Sequence, residues 1–147
     1  MVIIIIYVDD IIFGSNLQIL SENVSSKMKE FEMSMLGELT FFLGLQVYQS
    51  NKGIFICQTK YIKDILKKFK LEDSKPVNTP MINGCKLRKN DESLEVDHSM
   101  YRSMIGNFLY VIATRLDVMK FVGLVARFQS APKETQVAAV KIIFRYL

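Results

Sequence analysis

The stretch Val2–Asp10, VIIIIYVDD, limits what this chain can fold into more than any other part of it. Val2 to Ile6 are β-branched without interruption, and the adjacent carboxylates Asp9 and Asp10 follow Tyr7 and Val8 before a second apolar pair, Ile11-Ile12. Side chains branched at Cβ are stiff and favour extended backbone. A short run of them that does not alternate predicts a central strand buried on both faces. With Ile11 to Phe13 as the returning strand, Asp9 and Asp10 fall at the tip of a β-hairpin, and Gly14 closes the second strand.

Two chemistries fit such a tip. Asp tolerates the dihedrals of tight turns and bonds its own backbone, so the pair can be a turn and nothing more. Alternatively, two like charges held beside a dry core destabilise a fold unless a cation neutralises them. Mg²⁺ is the natural candidate, because it takes one or two carboxylates and completes its octahedron with water and substrate phosphate. Cys57 and Cys85 are far apart, no CxxC occurs and His98 is the single histidine, so neither a disulfide framework nor a zinc site is written here.

The 147 residues, half of them hydrophobic, suffice for one domain with a real core. The apolar run Val2 to Val8 is far below the ~20 residues that span a bilayer, and no basic region precedes it, so neither a membrane helix nor a signal peptide is expected. Residues Lys60 to Lys70 hold five lysines against Asp64, which accounts for the whole net charge of +4. A localised cationic patch points to an anionic partner.

Along the chain, Ser15 and Gln18 have capping-box spacing, and Leu17, Leu20, Val24, Met28 and Phe31 follow helical spacing. Met33 and Met35 predict a short strand, Thr40 to Gln49 a longer one, and Asn51-Lys52-Gly53 a turn into Ile54 to Gln58. From Lys60, the residues Tyr61, Ile62, Ile65, Leu66 and Phe69 share one helical face, and Lys60, Lys63, Lys67 and Lys70 another. Residues 72–98, with Pro76, Pro80 and Asn83-Gly84, read as a linker at which the core stops. Three helices are expected beyond it. One carries the stripe Tyr101, Met104, Ile105, Phe108, Leu109 and Ile112, with Gly106 allowing close packing. A second is capped by Asp117 and carries Val118, Val122, Val125 and Phe128. Pro132 opens the third, which carries Val137, Val140, Phe144 and Leu147.

Tyr7-Val8-Asp9-Asp10 followed by IIFGS resembles the metal-binding hairpin of reverse transcriptases. The segments FEMSMLGELTFFLGLQV, YIKDILKKFKL, YRSMIGNFLYVIATRLDV and ARFQSAPKE, in that order, make the chain similar to the copia-type retrotransposon polymerase over essentially its whole length. The resemblance implies an α+β fold: the C-terminal part of a polymerase palm over 1–59, a basic amphipathic helix over 60–71, a linker over 72–98, and a helical thumb or connection region over 99–147. It implies RNA-directed DNA synthesis by two-metal nucleotidyl transfer.

On that resemblance Asp9 is a ligand of the two catalytic Mg²⁺ ions with Asp10 beside it, and Tyr7 lies near the primer terminus. Phe42-Leu43-Gly44 is the primer grip, although as bare sequence it is an ordinary hairpin strand with a glycine. Lys60, Lys63, Lys67 and Lys70 face the primer–template backbone, although such a stripe is otherwise a solvated face. The implied partners are primer–template nucleic acid and deoxynucleoside triphosphates, with no membrane, in an intracellular particle or the nucleus. Leu116 departs from the family pattern, which has Pro there.

A palm also needs a third carboxylate on a strand before the hairpin, and fingers that close on the nucleotide. Neither occurs in these residues, nor does the ribonuclease H domain that follows in the family. The chain alone is therefore expected to be inactive. The contrasting readings are a non-catalytic nucleic-acid-binding remnant carried by the lysine helix, and a degenerate reading frame without function.

Overall fold

β-Branched residues on both sides of a two-residue turn form the first pair of elements. The computed structural model describes residues 1–31, 33–82, 84–89 and 92–147. These form two units, Met1–Phe42 and Leu43–Leu147. Strands are concentrated before residue 58 in antiparallel hairpins and helices after it, an α+β arrangement.

In the first unit, β1 (Val2–Tyr7) pairs antiparallel with β2 (Asp10–Ser15), from Val2↔Ser15 to Tyr7↔Asp10. Asp9 is thus in the turn, whereas Asp10 is the first residue of β2, one position off the expected tip. The doubly buried strand is not found either. Ile3, Ile4, Ile5 and Ile6 are 46–70% exposed, because among the described residues β2 is the one strand paired with β1. An apolar sequence specifies a need for neighbours without supplying them.

Helix α1 spans Gln18–Lys29. The capping box does not form: the Ser15 hydroxyl closes a local turn on the backbone N–H and carbonyl of Leu17, and Gln18 donates to Glu22 instead. The ends of the expected apolar stripe, Leu17 and Phe31, are exposed. Met33 to Met35 form no strand, and β3 is only Phe41–Phe42.

The second unit opens on a turn at Leu43-Gly44, which splits the strand expected over Thr40 to Gln49. β4 (Leu45–Ser50) and β5 (Gly53–Cys57) then pair through the expected Asn51-Lys52 turn, with Ser50↔Gly53 as the closing pair. Helix α2 (Thr59–Lys68) buries Ile65 and lays Tyr61, Ile62, Leu66 and Phe69 on the core, as its spacing predicts. Its end is a Schellman motif: Leu71 N–H donates to Leu66 and Lys70 N–H to Lys67, which puts Lys70 at φ 55°, where glycine is usual.

Asp97 caps α3 (His98–Val111) by accepting from the N–H groups of Ser99 and Met100. A 3₁₀ turn, Leu116–Val118, leads into α4 (Met119–Ala126), and α5 spans Glu134–Tyr146. The core lies among these helices: Tyr101, Phe108, Val122, Val140 and Phe144 are at most 1% exposed. Two expectations fail on α3. Leu109 is 57% exposed, and a Cβ on Gly106 would meet nothing within 4 Å, so that glycine permits no close packing.

The segment between α2 and α3 is irregular, but the core does not stop at it. Val77 N–H donates to the Arg145 carbonyl, the Arg145 guanidinium to the Lys75 carbonyl and buried Gln136 to the Arg88 carbonyl, while Met81, Leu87 and Val96 pack on the helices. Irregular backbone laid on a core needs such partners. Asn83 of the expected Asn83-Gly84 turn lies outside the described residues.

Asp117 caps no helix. It holds Arg115 at 2.9 and 2.8 Å and accepts from the Tyr146 hydroxyl at 3.0 Å, because the 3₁₀ turn brings it back over Arg115. The Arg115 bond, then that of Tyr146, lowers its pKa from 3.8 to about 2. A carboxylate depressed by folding contributes stability that is present above pH 4 and lost as the pH falls towards 2. With 43% of its side chain exposed, the contribution is about 0.5–1 kcal/mol. Asp117→Asn is expected to lower the urea midpoint near neutral pH and to flatten its decline between pH 4 and 2. A decline of wild-type steepness in the variant would exclude this pair as its source.

Candidate functional site

The hairpin turn is made by Val8 and Asp9, with Val8 at φ 51°. Positive φ in a β-branched residue is unfavourable and is normally left to glycine in a turn of this length. The turn is held by the six-pair register of the strands behind it. Asp9 and Asp10 are both exposed, so water reaches them and the dry surroundings inferred from the sequence are absent. Tyr7, across the ladder from Asp10, sets its ring edge-on to Phe42, centroids 6.2 Å apart and planes at 81°. Two of the expected site residues therefore meet within the first unit.

The donor chemistry fits Mg²⁺: two solvated carboxylates at a turn, with no nitrogen or sulfur among them. Among the described residues no further His, Cys, Asp or Glu joins them in a group of three or more. Asp9 and Asp10 offer two such oxygen donors, both open to water.

Phe42, Leu43 and Gly44 fall on either side of the junction between the units. Leu43 at φ 49° and Gly44 at φ 81° give the left-handed pair of a primed two-residue turn. Gly44 has a second reason to lack a side chain, since a Cβ there would lie 2.7 Å from the Tyr110 hydroxyl. That hydroxyl is buried without a hydrogen-bond partner among the described residues. Tyr110 stands edge-on to Tyr61, centroids 4.7 Å apart, and Tyr61 donates to Asn107 at 3.0 Å. Burial, then Tyr110 beside it, pushes the Tyr61 hydroxyl pKa up. The sequence showed Tyr110 only as part of the α3 segment, and no local signal tied it to a glycine so far back.

Lys60, Lys63 and Lys67 are exposed on α2, away from buried Ile65, and exposed Lys70 follows at the left-handed cap. The apolar face is fastened below them by Gln58, 1% exposed, which donates to the Tyr110 carbonyl at 3.0 Å and accepts from the Thr114 hydroxyl at 2.7 Å. The lysine stripe thus rides on a helix anchored at its start.

The family model for reverse transcriptase (RNA-dependent DNA polymerase) matches residues 1–83. The chain is 31% identical, over 99% of its length, to the retrovirus-related Pol polyproteins from transposon TNT 1-94 of Nicotiana tabacum and from transposon RE1 of Arabidopsis thaliana. It is 32% identical over 98% of its length to an uncharacterized mitochondrial protein of Arabidopsis thaliana. It spans 12% and 10% of the two polyproteins and 60% of the mitochondrial protein. No solved structure matches it. The matched span begins with the Tyr7–Asp10 hairpin and includes the lysine helix, and the chain belongs to the reverse transcriptase (RNA-dependent DNA polymerase) family, in the form carried by copia-type retrotransposon Pol polyproteins.

Proposed function

We propose that this chain is the part of an RNA-directed DNA polymerase that presents the catalytic carboxylates and holds the primer–template. In this reading 1–59 is the C-terminal part of the palm, 60–71 a basic amphipathic helix that binds nucleic acid, 72–98 a linker, and 99–147 the thumb or connection region. The observation that carries it is the hairpin, where a strained Val8-Asp9 turn on a paired ladder sets Asp9 and Asp10 beside the Tyr7–Phe42 ring pair. Bound Mg²⁺ would supply activation of the primer 3′-hydroxyl and neutralise the triphosphate. Asp9 and Asp10 would hold the metal, Tyr7 and Phe42 give the primer end an aromatic wall, and Leu43 and Gly44 complete the primer grip. The setting would be an intracellular particle or the nucleus.

Two carboxylates are one ligand group short of a two-ion transfer centre, so the 147 residues alone are expected to leave a primer unextended with Mg²⁺ and all four deoxynucleotides present. Template-dependent extension that Asp9→Asn abolishes would refute this.

Binding is expected even so. The exposed lysine face also favours a non-catalytic nucleic-acid-binding role for the chain alone. Each phosphate neutralised on a duplex contributes about 0.9 to the logarithmic salt slope of the affinity. Reversing Lys63 and Lys67 to Glu should weaken primer–template binding and flatten that slope by about two. Affinity and slope both unchanged in a fluorescence-anisotropy titration would exclude the stripe.

A further inference from the structure

A concave feature lies wholly within the second unit. A cavity of about 470 Å³ is bounded by β5, one face of α2, the chain after α3 and Leu147 at the end of α5. Its walls include Phe55, Ile62 and Leu66, and its cations are Lys63 and Arg115. Lys63 makes no ion pair or hydrogen bond among the described residues. Arg115 is held by Asp117 through Nε and Nη2, which fixes its guanidinium at the rim.

Beside this cavity is an exposed aromatic surface. Phe55 is 64% exposed and Tyr48, its partner across the β4–β5 ladder, 55% exposed. Their rings lie 6.2 Å apart and tilted by 36°, so Tyr48 steadies Phe55 without covering it. An exposed apolar patch with a polar rim marks a binding surface. Aromatic faces next to cations are how proteins hold unpaired bases, whatever their sequence.

We propose that this cavity binds one unpaired nucleotide of a single strand, its base against Phe55 and the apolar wall and its phosphate at Lys63, with Arg115 as the second cation. The inference rests on nucleic acid being the ligand of this chain. It adds a subsite that reads strandedness, since a base inside a duplex has no free face to offer Phe55. It also distinguishes the lysines: Lys63 lines the cavity besides belonging to the exposed face, whereas Lys67 does not line it.

The test compares a labelled oligothymidylate with a blunt duplex of equal length, by anisotropy over a salt series, on wild type, Phe55→Ala, Lys63→Gln and Lys67→Gln. All three side chains are exposed, so the variants keep the fold, checked by circular dichroism and urea midpoint. Phe55→Ala is expected to weaken single-strand binding about tenfold and leave duplex binding unchanged. Lys63→Gln should lower the single-strand salt slope by about 0.7. Lys67→Gln should weaken both ligands alike. Wild-type single-strand affinity in Phe55→Ala, or an equal loss on the duplex, overturns the subsite while leaving the lysine face intact. If wild type binds neither oligonucleotide, the subsite and the lysine face both fail.

Discussion

Phe108→Ala is expected to remove a large fraction of the stability of the Leu43–Leu147 unit. Phe108 is fully buried, and its ring lies 4.1 Å from that of Phe144, which in turn lies 5.2 Å from Phe69. Phe108 thus ties α3 to α5, and Phe144 carries the stack on to the end of α2. Deleting a buried phenyl ring typically costs about 3–5 kcal/mol, against about 5–15 kcal/mol for a whole domain. The next residue is the control: Leu109→Ala, at 57% exposure, should change stability by less than about 0.5 kcal/mol. Urea unfolding followed by circular dichroism reads both, and equal losses would mean that the inner face of α3 is assigned wrongly.

The second large effect is expected at Gly44. An alanine there meets the Tyr110 hydroxyl at 2.7 Å and also sits at φ 81°. The left-handed conformation alone costs a non-glycine residue about 1–2 kcal/mol. The overlap adds to it, because the hydroxyl sits in a closed interior, and a total of about 2–3 kcal/mol is expected. Tyr110→Phe separates the two parts. Alone it removes a buried hydroxyl with no partner and should be neutral or stabilising by up to about 1 kcal/mol. In the double variant the overlap is relieved and the dihedral strain stays, so the cycle should return a coupling of about 1 kcal/mol. Strict additivity would show that Gly44 is there for its dihedral alone. Because Gly44 belongs to the proposed grip, primer–template affinity should fall in Gly44→Ala and recover in part in the double variant.

The sequence was most legible where short-range period decides structure. The two faces of α2 and the Asn51-Lys52 turn follow from residues a few positions apart, and the inner stripes of α3 to α5 mostly do so too. It was least legible where a distant partner decides. The isoleucines of β1 announced apolarity, not the number of strands beside them. Asp117 has the composition of a cap, but Arg115 and Tyr146 claim its carboxylate. The irregular segment after α2 reads as free because its anchors, Arg145 and Gln136, come some fifty to seventy residues later. In the candidate site, the lysine face was set by spacing, whereas the hairpin tip moved by one residue because Val8 adopts a conformation its type resists. The cavity beside Phe55 joins strand, helix and loop residues that no linear motif links.

The bonds from Gln58 to Tyr110 and Thr114 span 52 and 56 residues of chain. A ribosome adds about 5–20 residues per second, so Thr114 is made about 3–11 s after Gln58. Until then Ile65 and its neighbours on α2 lack the partners that bury them, since α3 to α5 are not yet complete. The inner face of the lysine-bearing helix is thus open to chaperones until the last helices arrive.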